Sequence, residues 1–128
     1  MSYFKVKIKK TDSLFSLYIR NRDKWKCRYC GKDYSDNRKM LHNSHYWGRN
    51  KEGTRYEPDN CMALCFYHHE QLGHGDLRDK YKEMMIEWLG QKRFDSLEIQ
   101  ANSYCKKDDK FMEIKLKELL KEQENGES

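Results

Sequence analysis

Two short residue pairs share one spacing: Cys27-Arg28-Tyr29-Cys30, closed by Gly31, and Cys65-Phe66-Tyr67-His68. A C-x-x-C turn brings two thiolates to one ion, and structural zinc sites close a tetrahedron of such sulfur and nitrogen donors. Together the pairs supply three cysteines and one imidazole. Cys27, Cys30, Cys65 and His68 are therefore the expected ligands of a structural Zn2+, with Cys61 as the alternative to Cys65. All five histidines, His42, His45, His68, His69 and His74, fall between positions 42 and 74, as does Asn60. Imidazole is both a metal ligand and the side chain that titrates nearest neutrality, so this crowding points to metal and acid–base chemistry. His68 and His69 are adjacent, and neighbours on a helix point about 100° apart. They can serve two different ions but hardly one, and either could be the one that joins the cysteines.

The elements that must position these groups can be read coarsely. Phe4, Val6 and Ile8 alternate with lysines, which fits a short strand or an extended basic arm. A helix is predicted over 13–23, with Thr11, Asp12 and Ser13 offering capping oxygens. Residues 40–47 read as a strand, 48–60 as a polar loop containing the one proline, and 61–65 as a short connector. A helix starting near Cys65 carries His68 and His69 and is stopped by Gly73 and Gly75. Further helices are predicted over 76–89, 93–104 and 109–123. The first is capped by Asp76, the third buries Phe111, Ile114 and Leu119/Leu120, and Cys105 reads as a buried free thiol in a late helix. The domain reading is 1–90 for the metal-bearing unit, 91–124 for a helical extension and 125–128 for a disordered tail.

At 128 residues the chain has room for one domain with an appended arm. Apolar and charged residues each make up 37%, and no apolar run approaches the roughly 20 residues of a membrane span, so no membrane association is expected. Five cysteines, an odd number, and a lysine-rich opening without an apolar export segment lead us to expect a reducing, cytoplasmic location. Residues 1–56 carry 15 basic and 5 acidic side chains, net +10, against 11 and 16, net −5, over 57–128. A basic front half suggests a polyanionic partner, most simply nucleic acid.

The run Leu41-His42-Asn43-Ser44-His45-Tyr46-Trp47-Gly48-Arg49, followed by Asp59-Asn60-Cys61-Met62-Ala63-Leu64-Cys65-Phe66-Tyr67-His68-His69, resembles HNH endonucleases. It is similar in particular to the zinc-stabilised phage type that includes the NinG (Rap) recombination nucleases, over residues 11–90. The resemblance implies an α+β protein with a small ββα-metal (His-Me finger) core and a structural zinc site, flanked by an N-terminal helix and C-terminal helices. It implies His45 as general base, Asn60 as the motif asparagine and His69 as the catalytic-metal ligand on the finger helix. Cys27, Cys30 and Cys65 match the family's zinc ligands, with His68 where a fourth cysteine is common. The implied activity is hydrolysis of DNA phosphodiester bonds, in a bacterial or phage-infected cytoplasm.

The residue types suit that chemistry. A neutral imidazole can take a proton from water. A divalent Mg2+, Mn2+, Ni2+ or Zn2+ ion at His69 can polarise the phosphate and stabilise the departing oxygen. Arg49 and Arg55, between His45 and Asn60, could clamp a phosphate. One departure stands out: Ser44 occupies the position where many HNH proteins place the first catalytic-metal ligand. His42 and His74 are the candidates to fill out that shell. The alternative reading is a non-catalytic zinc-bound nucleic-acid-binding module, or a phage packaging or recombination accessory factor. Candidate partners besides DNA are a second copy of the chain and a phage or recombination protein.

Overall fold

The computed structural model describes residues 6–126. Among these are five α-helices and one two-stranded antiparallel sheet, an α+β arrangement. None of these helices is long and apolar enough to cross a membrane. Phe4 of the alternating N-terminal run lies outside the described residues, and Val6–Lys9 adopt no regular element.

Helix α1 spans Lys10–Arg22. It starts three residues before the predicted point because Asp12, in its first turn, accepts the Lys9 N–H at 2.8 Å. Phe15 and Ile19, one turn apart, face the core. After α1 the chain reverses sharply through Lys24 and Trp25, both left-handed at φ 58° and 60°. A bulky residue in that region is strained. Trp25 is held there by its indole N–H to Asn21 Oδ1 (2.9 Å) and by guanidinium groups of Arg20 and Arg38 over the ring.

Strand β1, Leu41–His45, pairs with strand β2, Cys61–Cys65, in the register Leu41↔Cys65 to His45↔Cys61. The stretch expected as a connector is thus a strand, and every residue of it is buried. Its apolar run shows no alternation because both faces are covered, which is how a buried strand reads. Met62 and Leu64 join a larger core with Leu41, Leu72, Tyr81, Met85, Phe94 and Leu97, whereas Cys61 joins a second cluster with Phe15, Ile19, Tyr56, Met112 and Leu116.

Helix α2, Phe66–Gly73, follows β2 directly. Helix α3, Arg78–Leu89, starts after Leu77 without a side-chain cap, so Asp76 does not play the predicted role. Gly90, at φ 84°, turns the chain into helix α4, Gln91–Ala101. Cys105 lies beyond that helix and is exposed rather than buried. Helix α5, Asp109–Gly126, buries Met112 and Leu116 against α1, while Phe111 and Ile114 are 61% and 62% exposed. The face that won is the i, i+4, i+7 row of Met112, Leu116 and Leu119, which fits the groove beside Phe15 and Ile19. The helix also runs two residues into the expected tail. Gln123 anchors that end by donating to the Tyr18 carbonyl and accepting from Asn21. Phe94 and Leu97 of α4 sit in the larger core, so the helices after residue 90 pack into the rest of the chain.

Candidate metal centre and histidine groove

The ligand atoms of Cys27, Cys30, Cys65 and His68 all lie within 4.8 Å of one another. His68 Nδ1 is 3.2 Å from Cys65 Sγ and 3.8 Å from Cys27 Sγ. A tetrahedral zinc with ordinary Zn–S and Zn–N bonds sets sulfur–nitrogen edges of about 3.5 Å, so the donor set fits that ion. Local chain geometry explains the fit. Gly31, at φ 76°, closes the first turn, with its N–H donated to the Cys27 carbonyl at 2.8 Å. The register puts Cys65 at the end of β2, where α2 begins, so His68 follows in the helix's first turn. Burial pushes the Cys27 thiol up to about 11, although backbone N–H groups of Cys30, Cys65 and Tyr29 work the other way. Burial also opposes ionisation of Cys65, but bonds from the His68 backbone, the Tyr34 hydroxyl and the other cysteines carry its thiol below the ordinary value. Tyr34 was not singled out from sequence; a tyrosine seven residues after the first cysteine carries no local signal of its role.

His69 faces away from this quartet. Among the described residues, His42, His45, His69, His74 and Arg49 line one groove of about 730 Å³, with α1 contributing Asp12, Ser13, Ser16 and Arg20 to its opposite wall. The groove follows the free edge of β1, which is why Leu41, His42, Asn43 and His45 from both faces of the strand reach it. The His42 and His69 rings lie 5.4 Å apart, and His69 and His74 6.5 Å. This set is looser than the cysteine–histidine quartet, the one group of three or more donors within ion-binding reach among the described residues. Burial, then the neighbouring His42, lowers the pKa of His69, and its Nδ1 is buried without a hydrogen-bond partner. Asn43 Oδ1, in the same groove, is likewise buried and unpartnered. Buried polar atoms are nearly always satisfied, so orphans in this region stand out.

His45 donates Nε2–H to the carbonyl of Arg55 at 2.9 Å, since a carbonyl can only accept. That bond fixes the tautomer and leaves the lone pair on Nδ1. Burial pushes the pKa of His45 down to about 4, with the charges of Arg49 and Arg55 helping and the Arg55 carbonyl and Asp12 opposing. Asn60 is buried and does not line the groove. Its Oδ1 accepts from Trp47 N–H (2.9 Å), and its Nδ2 donates to the carbonyls of Trp47 (2.9 Å) and Thr54 (3.2 Å). It ties the start and end of the 47–60 loop together, next to His45.

One expected role changes, and the Ser44 departure is explained. Arg55 is 3% exposed, with Nε and Nη2 gripping both Asp12 oxygens at 2.9 and 2.6 Å and further bonds to Glu52 and the Lys7 carbonyl. Its donors are spent inside the fold, so it is a structural brace and not a phosphate clamp. Ser44 turns into the core, where the Tyr81 hydroxyl donates to its Oγ at 2.9 Å, and it cannot ligate an ion in the groove. Cys61 is fully buried at the start of β2 and outside the quartet.

Comparison of the chain with protein-family models, with curated proteins and with solved structures finds no match.

Proposed function

We propose that this protein is an HNH-type endonuclease with a ββα-metal core formed by β1, β2 and α2, hydrolysing DNA phosphodiester bonds. The observation that carries the reading is His45: a neutral imidazole whose Nε2–H is held by a backbone carbonyl, leaving Nδ1 as the lone-pair nitrogen in a groove shared with His42, His69, His74 and Arg49. In that role Nδ1 takes the proton from the attacking water, and Arg49 lies where the phosphate's charge would be met. Asn60 positions His45 by fixing the loop that supplies its carbonyl partner. Zn2+ belongs at the cysteine–histidine quartet. A divalent ion at His69, with His42 or His74, would supply charge neutralisation at the phosphate and the leaving oxygen. Asn43 joins those candidates through its unpartnered Oδ1.

A second reading, a zinc-bound nucleic-acid module without catalysis, is favoured by Ser44. The position from which a first catalytic ligand would come is packed against Tyr81, and His42, His69 and His74 do not gather their ligand atoms as the cysteine–histidine quartet does. Incubation with supercoiled plasmid and Mg2+, Mn2+ or Ni2+, beside His45→Ala, separates the two. Nicking or linearisation by the wild type with loss in the variant supports the nuclease. Plasmid left intact with every metal, or cut equally by the variant, supports the binding module.

A further inference from the structure

We propose that the end of the groove formed by Arg20, Arg38 and Lys39 is a phosphate-binding site for a nucleic-acid strand. The proposal rests on the nucleic-acid reading above and extends it to residues remote from His45. Arg20 and Lys39 line the groove, and Arg20 and Arg38 stand 4.7 and 4.1 Å from the ring centre of the same tryptophan, Trp25. Two guanidinium groups held against one indole repel each other, and the closeness of Arg38 joins burial in lowering the pKa of Arg20. Among the described residues neither arginine nor Lys39 forms an ion pair. Each arginine makes one side-chain bond, from Nε to a carbonyl (Ser16 for Arg20, Ser35 for Arg38), which leaves the terminal Nη donors unspent. Asp12, the acidic side chain of the groove lining, is already gripped by Arg55, and Glu70 of α2 bears on His42 together with Arg20. Stacking orients the guanidinium planes before a ligand arrives, which lowers the ordering cost of a bidentate phosphate contact.

The route from this end to His45 is also polar. Ser13, Ser16 and Arg20 recur at i, i+3 and i+7 on the groove side of α1, so hydroxyl donors lie between Arg20 and the Arg49 end. Along a helix axis, Asp12 to Arg20 is about 12 Å. One DNA strand presents a phosphate about every 3.4 Å of duplex axis, so that length matches about three to four nucleotides of a single strand.

The test is fluorescence anisotropy with a labelled DNA duplex, between about 50 and 200 mM salt, with no divalent metal added. Replacing Arg20 and Arg38 together by Gln should make the dependence of log K on log salt shallower by close to two, about 0.9 for each lost phosphate contact. The Arg20→Lys/Arg38→Lys pair should restore most of it, since it keeps the charge. Lys39→Gln, exposed and outside the Trp25 stack, should remove about 0.9 by itself and keeps the test sound if the double Gln variant fails to fold. An unchanged slope in these Gln variants, equal loss in the Lys and Gln pairs, or no binding by the wild type overturns the site. Plasmid cutting is scored separately. Binding with these slopes but no cutting would reject the nuclease and keep the site, whereas cutting with unaltered slopes would do the reverse.

Discussion

A carbonyl chooses which nitrogen of His45 can act. With Nε2–H donated to Arg55 and the ring largely enclosed, the imidazole remains neutral well below the ordinary histidine value of 6.5, down to about 4. The folded-state value lies below the unfolded one, so the neutral ring contributes stability that is present above pH 6.5 and lost as pH falls toward 4. The expected result in an NMR titration is an Nε2–H tautomer with no ring titration between pH 8 and about 5. Wild-type stability should also fall faster than that of His45→Gln across the same window. A ring that titrates near 6.5 would sink this account of its enclosure. The same site depends on Asp12. Burial works to raise its carboxyl, but the Arg55 and Lys9 bonds hold it below the usual carboxylate range. Removing one member of a buried, bonded pair strands the other, at a cost of about 3–5 kcal/mol. Asp12→Ala should lose that much in urea unfolding at pH 7, and a loss under 1 kcal/mol would show that Glu52 and the Lys7 carbonyl suffice for Arg55.

At the scale of elements, α2 is eight residues long, well short of the roughly 12–15 residues an isolated helix needs in water. Its start is pinned by Cys65 and its first turn by His68, so the ion that closes the quartet is what should keep it folded. Metal analysis should return about one tightly held zinc per chain, and chelation should melt α2 and loosen the hairpin, seen as lost helical circular dichroism. Retained structure after complete zinc removal would refute it. A second constraint joins loop to helix: a Cβ at Gly53 would collide with the Gln100 carbonyl of α4, so Gly53→Ala should cost about 1–3 kcal/mol. The quartet was legible in sequence because each half is a local turn whose spacing carries the geometry. The bounds of α2 were legible as well, from the Cys65 start and the glycine stop at Gly73. What could not be read was tertiary. Asp12 and Arg55 meet across 43 positions, Ser44 is claimed by Tyr81 from α3, and β2 hides as a plain apolar run because helices cover both its faces. Helix α5 offered two apolar stripes, and only the shape of α1 decides between them.

For the whole molecule, the decisive packing closes the C-terminal helix onto the N-terminal one. Met112 and Leu116 of α5 lie against Phe15 and Ile19 of α1, and the Phe15 ring is 6.0 Å from that of His45. Helix α1 thus carries three loads: the apolar seam with α5, the Asp12 brace under the His45 loop, and the Ser13–Ser16–Arg20 wall of the groove. The cysteine–histidine quartet takes no ligand from α1. The molecule should therefore respond in two separable ways. Leu116→Ala, at a position 1% exposed, should cost about 2–5 kcal/mol through the cavity it leaves, a large share of a small domain's total stability. Its damage should appear at His45, as shifted ring resonances and earlier thermal unfolding, while zinc content stays at that of the wild type. Cys65→Ser should do the opposite, losing zinc first. If Leu116→Ala releases zinc while the His45 resonances hold their positions, the seam and the groove are not coupled as α1's position between them requires.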